Sequence, residues 1–320
     1  MAEAPADLDP VSMFSLLGDE TRLAVLQALY DETRGRGTGR GAVAYSTLRE
    51  AVGEPDSGRF NYHLTQLTGH FVEKLRGGYA LRAPGREVVR VLRAGTLTQS
   101  PRVDPVGTGR VCPRCGGQVR LSYANEHVFV HCADCVGLLE FDYVPDGTLL
   151  AVSFPPAGAN ARDPSTLLAP ATLGYERRLQ TMTDGLCPDC GGVATPSVRR
   201  CECHRQTGST TCDRCHTGFE ALVELSCETC ERRRVAPPAF AFTHRDPVRE
   251  ALSAANADGD AWRRYVTVVD WPTRVRRADG GTPEVVYAPP DDREVVVAAD
   301  GSVRREAPSP PDELGAHLSE

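Results

Sequence analysis

The chain has twelve cysteines in 320 residues. They fall into six pairs, and five of these have the form Cys-x-x-Cys: Cys112/Cys115, Cys132/Cys135, Cys187/Cys190, Cys212/Cys215 and Cys227/Cys230. The sixth pair is Cys201/Cys203, with His204 beside it. A Cys-x-x-Cys turn puts two sulfurs on one side of a tight knuckle. Two facing knuckles make the tetrahedral four-sulfur shell that Zn²⁺ prefers, so the pairs predict about three structural zinc ions. Cys112/Cys115 and Cys132/Cys135 stand sixteen residues apart, with alternating stretches at 128–130 and 138–143. That pattern predicts a zinc ribbon of β-hairpins over residues 111–156.

The second array, residues 185–236, leaves two groupings open. A local grouping puts Cys187, Cys190, Cys201 and His204 (or Cys203) on one ion and Cys212, Cys215, Cys227 and Cys230 on another. An interleaved grouping pairs Cys187/Cys190 with Cys212/Cys215. The local one is favoured because short loops cost less to close. His204 is favoured over Cys203 because it completes a Cys-x-x-His turn with Cys201. His216, next to Cys215, is expected at the surface.

Four-ligand shells are closed and leave no position for a reacting water. The chain has no Gly-rich phosphate loop, no His-Glu-x-x-His and no Gly-x-Ser-x-Gly. Gly-Gly follows two of the knuckles, where a redox Cys-x-x-Cys would open a helix. These features predict a protein that is not an enzyme. No run of about eighteen apolar residues is present, and the acidic start MAEAPADLDP has no apolar segment. The expectation is a cytoplasmic chain without a membrane span, its thiols kept reduced.

The length predicts two or three domains, and 6% aromatic residues imply no single large core. Metal can replace core in small modules. The net charge is −7 and Lys74 is the only lysine, a composition suited to high salt. Residues 11–95 nevertheless carry 12 basic against 9 acidic residues, while residues 240–320 carry 10 against 15. A partner with a phosphate backbone would be met by the N-terminal part.

That part has no cysteine. Val11, Phe14 and Leu17 stand at helical spacing after Asp9-Pro10. Asp19 can cap a second helix carrying Leu23, Leu26 and Leu29. A Gly-rich loop at 35–41 precedes a third helix over 45–52. Ser57 can cap a fourth, with Phe60, Leu64 and Leu67 on its apolar side. Residues 71–82 predict a hairpin turning at Gly77-Gly78, and Pro84 opens a fifth helix. This order predicts a winged helix-turn-helix over residues 10–95.

The segment Leu16-Leu17-Gly18-Asp19-Glu20-Thr21-Arg22-Leu23 resembles the opening of ArsR-type transcriptional regulators. Phe60-Asn61-Tyr62-His63-Leu64, with Phe71-Val72 and Gly78-Tyr79, resembles the version common in halophilic archaea. The resemblance covers residues 11–95. It departs from metal-sensing members in the third helix, which has no Cys or His, so their inducer-metal site is absent. The resemblance implies a recognition helix at 57–66, its outward face offering Arg59, Asn61, Tyr62, Thr65 and Gln66 to the major groove. Ser57 would meet a phosphate at the helix start. Lys74 and Arg76 on the wing would meet the backbone or minor groove. His63 is expected to support packing or a phosphate rather than read a base.

The remaining expectations complete an α+β multidomain chain. Residues 1–9 and 307–320 are disordered, 96–110 are a linker, and 164–184 form a connecting helix with Leu167, Leu168, Leu173 and Leu179 available for packing. Residues 240–306 form a small antiparallel α+β module with strands near 265–269, 285–287, 295–297 and 302–304; in the regulators that the chain resembles, a similar module follows the cysteine knuckles. The functional expectation is a sequence-specific regulator of transcription that binds double-stranded DNA as a homodimer, its zinc modules open to protein partners. The alternative is a zinc-ribbon adaptor that recruits protein or RNA, with the winged helix as an interaction module.

Overall fold

Aspartates that cap helix starts organise the first hundred residues. Asp9 accepts from the Val11 and Ser12 N–H groups at 3.0 and 3.1 Å and opens α1, Pro10–Leu17. Asp19 accepts from the Arg22 N–H at 2.9 Å and opens α2, Glu20–Thr33. Burial works against the Asp19 carboxylate, but the Arg22 N–H and the nearby His63 outweigh it and hold its pKa below the ordinary value of 3.8. The computed structural model describes residues 9–34, 41–202, 204, 211–278 and 281–308. The expectations for both termini, for most of the loop at 35–41 and for Cys203 fall outside them, apart from residues 9, 41, 307 and 308.

Two compact units result, Met1–Gln99 and Ser100–Glu320. In the first, α3 (Tyr45–Val52) stops at Gly53, whose φ of 73° only glycine adopts freely. Then follow α4 (Ser57–Leu67), a hairpin of β1 (Val72–Leu75) and β2 (Gly78–Leu81), and α5 (Ala83–Arg93). Leu75 pairs with Gly78, so Arg76 and Gly77 form the tip, and Gly78 lies in the strand. Tyr79 and Val43 exchange backbone hydrogen bonds at 2.8 and 2.9 Å, and a Cβ at Gly78 would strike the Val43 carbonyl. Leu26, Leu29, Leu48, Phe60, Leu64 and Val89 fill the core. The stripe expected on α1 is not buried: Val11 is 75% and Phe14 65% exposed. Leu17 alone of the three packs inward, with Met13 and Leu16 beside it. This helix is apolar on several faces, so periodicity does not select one.

The second unit has three antiparallel sheets. β3 (Val103–Val111), β4 (Gln118–Ala124), β5 (His127–Cys132) and β6 (Thr148–Ser153) form the first. Then come a short helix, α6 (Pro156–Asn160), and a long one, α7 (Leu168–Thr183), with a 3₁₀ turn at Pro164–Thr166 between them. β7 (Ala194–Arg200), β8 (Ala221–Cys227) and β9 (Arg233–Ala236) form the second sheet. After α8 (Pro238–Ala241), α9 (Asp246–Ala254) and α10 (Ala261–Asp270), the chain closes with β10 (Thr273–Arg277), β11 (Pro283–Tyr287), β12 (Glu294–Ala298) and β13 (Val303–Glu306).

Three expectations change here. Residues 103–110, read as linker, are an edge strand whose register shifts accommodate Pro105 and the glycines. Residues 138–143 alternate but are not a strand; Leu139 makes one isolated bridge to Thr217. Residues 265–269, read as a strand, belong to α10. Asp260 caps that helix through the Arg263 N–H at 2.8 Å, and Trp262, Tyr265 and Val268 bury one helical face. A short β-branched run does not separate the two periods, and the cap and Trp262 decide it.

One continuous buried cluster runs from Cys112 to Val297, with α7 across its middle. Leu167, Leu168 and Leu179 are buried as expected, while Leu173 is exposed. Glu176 on the same helix is 1% exposed. Arg264 grips it bidentately at 2.6 and 2.5 Å, and Thr243 donates to it at 2.8 Å. Among the described residues no helix is long and apolar enough to cross a membrane.

Two substitutions test these supports. Glu176→Leu strands the Arg264 guanidinium, so the second unit should lose about 3–5 kcal/mol in urea unfolding, and adding Arg264→Met should restore most of it. Asp19→Ala should cost the first unit about 1 kcal/mol at neutral pH. Because the Asp19 pKa is depressed on folding, that difference should be complete above 3.8 and shrink as the pH falls further, as followed by thermal melts.

Candidate metal centres and the exposed face of the fourth helix

Three of the knuckles share one backbone geometry. The Cys112 N–H donates to the Gly117 carbonyl at 2.8 Å, and the Gly116 N–H returns to the Cys112 carbonyl at 2.9 Å. Cys187 repeats this with Gly192 and Gly191, and Cys212 with Thr217 and His216. The closing residue has positive φ each time: 73° at Gly116, 76° at Gly191 and 54° at His216. The Gly-Gly after two knuckles is therefore part of the turn. Its second N–H also meets sulfur, Gly117 to Cys115 and Gly192 to Cys190, both at 3.4 Å.

The side chains converge in three groups of four. Cys112, Cys115, Cys132 and Cys135 form the first, Cys187, Cys190, Cys227 and Cys230 the second, and Cys201, His204, Cys212 and Cys215 the third. Within each group all ligand atoms lie within 4.8 Å of one another. Measured Sγ–Sγ separations are 3.8 Å for Cys112–Cys135, 3.4 Å for Cys115–Cys132, 3.7 Å for Cys187–Cys230 and 3.5 Å for Cys190–Cys227. A tetrahedral ion with metal–sulfur bonds of about 2.3 Å sets its ligands about 3.8 Å apart, so the donors fit a soft tetrahedral cation. The eleven described cysteines are free thiols, without disulfides.

Both groupings of the second array that the sequence left open are corrected. Cys187/Cys190 faces Cys227/Cys230, and the Cys201/His204 pair with Cys212/Cys215 is nested inside it. The cause is the β7–β8 ladder, which runs from Ala194↔Cys227 to Arg200↔Ala221. Each doubling of a loop costs only about 0.6 kcal/mol, whereas each cross-strand pair contributes roughly 0.2–1 kcal/mol. Seven strand pairs outweigh the preference for short loops. His204 stands in the third group, its Nδ1 3.5 Å from Cys215 Sγ.

The centres are tied to the sheets around them. Glu140 donates its N–H to the His216 carbonyl at 2.9 Å and Gly218 to Leu138 at 2.8 Å, so the loop after Cys135 clasps the third knuckle. His216, expected simply at the surface, is the residue that turns this knuckle. Thiol chemistry is uneven within a centre. N–H groups of Cys230 and Thr229 pull Cys227 down to about 6. The Gly192 N–H favours the Cys190 thiolate, but thiol contacts with Cys230 and Cys227 push it up to about 12. Burial pushes Cys132 up to about 12. Four thiolates in one centre need a cation, and its binding releases protons.

On α4, Phe60, Leu64 and Leu67 are buried, as is His63, whose Nδ1 lies 3.3 Å from an Asp19 carboxylate oxygen. Arg59, Asn61, Tyr62, Thr65 and Gln66 are exposed, and so are Ser57 and the hairpin residues Lys74 and Arg76. Ser57 does not cap the helix. Asp56 does, accepting from the Gly58 and Arg59 N–H groups at 2.8 and 3.3 Å, and Ser57 is the first helical residue. Arg59 Nε lies 3.6 Å from a Glu54 carboxylate oxygen. The sequence reading missed this acidic start to α4, although Glu54 and Asp56 stand just before Ser57.

The fold and centres define a cysteine-rich, mixed α/β protein with three four-ligand clusters. Residues 10–92 match the model of a domain of unknown function, DUF7347, and residues 109–304 match that of a second, DUF7351. The second match spans more than half of the chain, and the protein belongs to the DUF7351 family. No curated protein matches. Among solved structures, the Rio2 kinase–ADP/Mg²⁺–phosphoaspartate complex from Chaetomium thermophilum is 12% identical, with 94% of this chain and 74% of that one covered, at a TM-score of 0.27. A likeness at that TM-score carries no argument about fold or activity.

Metal analysis of the purified chain should return three divalent ions. Cys227→Ser and His204→Ala should each lower the count towards two, and Cys203→Ser should leave it at three. A count unchanged in His204→Ala would remove His204 from the third centre.

Proposed function

We propose that this protein is a sequence-specific DNA-binding regulator of transcription. In this reading the first unit is a winged helix-turn-helix of ArsR-like type, α4 is its recognition helix, the β1–β2 hairpin is its wing, and the three centres hold structural Zn²⁺. The observation that carries it is the division of α4: one face anchors in the core, and the other presents an arginine, two side-chain amides and two hydroxyls to solvent. Arginine can read guanine, and Asn61 or Gln66 can read adenine, in the major groove. Arg76 at the hairpin tip and Lys74 beside it suit phosphate or minor-groove contacts.

The acidic start of α4 shapes the docking. With the Gly58 and Arg59 N–H groups already taken by Asp56, a phosphate gains little there, and Ser57 contributes at most its hydroxyl. Arg59 must leave Glu54 to reach a base. An exposed ion pair is worth about 0–1 kcal/mol and a bidentate guanine contact about 1–3 kcal/mol, so the exchange favours DNA. The exposed Val11 and Phe14 suit a homodimer. The closed four-ligand centres suit a binding role rather than catalysis.

The same acidic residues favour a second reading, an adaptor that recruits protein or RNA through its zinc modules. The two readings differ in solution. The regulator should protect a discrete site upstream of its own gene in footprinting. Arg59→Ala with Asn61→Ala should abolish that protection, at a cost of about 2–6 kcal/mol for two base contacts. Lys74→Ala should weaken all sequences alike and reduce the salt slope by about 1. Parental footprints from the double variant would overturn the recognition-helix assignment, and binding without sequence preference would select the adaptor.

A further inference from the structure

A cavity of about 330 Å³ lies beside the third centre, within the second unit. Leu138, Phe219 and Val268 make part of its wall apolar. The polar groups on the wall are mostly donors. Trp271 is 6% exposed, and its indole N–H has no acceptor among the described residues. Native proteins rarely bury a donor in this way unless a water, ion or ligand meets it. The Tyr287 oxygen accepts from the Ala239 N–H at 3.3 Å, which leaves its own proton to donate. His204 turns Nδ1 towards the sulfurs, so a metal bound there fixes the ring proton on Nε2 and makes that nitrogen a donor as well.

Charge points the same way. Arg114, between Cys112 and Cys115, lines the cavity and has no ion-pair partner among the described residues. The carboxylate on the wall, Glu220, is already paired with Arg200 at 2.8 Å. Among the described residues the cavity wall therefore offers one unpaired cation and several donors, and its one carboxylate is held by Arg200.

We propose that this cavity binds a small organic carboxylate, with its apolar body against Trp271 and Phe219 and its carboxylate accepting from Arg114 and the buried donors. Hydrogen bonds to an ionised acceptor are about twice as strong as neutral ones, which selects an acid over the matching amide. A carboxylate on the free nitrogen of a ligating histidine also strengthens the metal–ligand bond. The bound acid is thus coupled to the third ion. The proposal goes beyond DNA binding and is measured without DNA, so it stands or falls separately; only the His204 contact depends on the metal.

The test is calorimetric titration of the full, zinc-loaded chain with benzoate, phenylacetate and indole-3-acetate, with benzamide as the neutral control. At least one acid should bind saturably, tighter than about 1 mM, and benzamide should not. Arg114→Gln, a change at an exposed position, should weaken binding about tenfold or more, and Trp271→Phe, which keeps a ring and removes the donor, about tenfold. Saturating acid should slow the release of one of the three ions to a chelator. Absence of saturable binding by all three acids, or parental affinity in Arg114→Gln, overturns the proposal. An unchanged release rate overturns the contact to His204.

Discussion

Sulfur ligands crowded to 3.4–3.8 Å are the constraint on which the second unit depends. At that spacing bare thiolates repel one another, and the thiols within one centre are driven apart in acidity, Cys227 downward and Cys190 upward. A tetrahedral cation removes the conflict and converts repulsion into closure. Each centre then joins segments that are distant in sequence: Cys112 to Cys135, Cys187 to Cys230, Cys201 to Cys215.

These closures share their surroundings. The β7–β8 ladder carries the second centre at one end and leads to the third at the other. The loop after Cys135 pairs with Thr217 and donates to His216, so the first and third centres brace each other. Helix α7 runs through the common core and holds Arg264 of α10 through Glu176. Burying that ion pair contributes little net stability, yet removing one partner would be expensive, so it acts as a lock on the position of α10. The cavity beside the third centre is a product of this arrangement, because its walls come from the first knuckle, His204 of the third centre, the segment that follows the third knuckle, α10 and β11.

The first unit follows different rules. It has no cysteine, and α2 and α4 are each set by an aspartate cap and a buried apolar face. What it leaves outside is informative: an uncharged α1 with Val11 and Phe14 in solvent, and an exposed α4 face of polar residues on which Arg59 is held by Glu54. Acidic residues at the start of α4 temper its attraction for phosphate and put the weight of any recognition on side chains further along the helix.

The legible features were the local ones. Two residues between cysteines make a knuckle whatever surrounds it, and so the ligand residues could be named from spacing. Asp9 and Asp19 announce helices, and Phe60, Leu64 and Leu67 announce a buried face, because capping and the 3.6-residue period act within a few residues. Tertiary structure decided the rest. Which knuckles share an ion depends on strand register between residues 194–200 and 221–227, a contact that no local spacing encodes. Residues 265–269 are helical because Trp262, Tyr265 and Val268 find a core on one side, although the run itself reads equally well as a strand. His216 turns a knuckle, and Trp271 walls a cavity with its N–H unpaired, only because distant segments converge on them. The sequence by itself determined which side chains can bind metal and which face of α4 stays wet; the fold determined their partners, since pairing is settled by the summed energy of long-range ladders and packing rather than by the cost of closing any one loop.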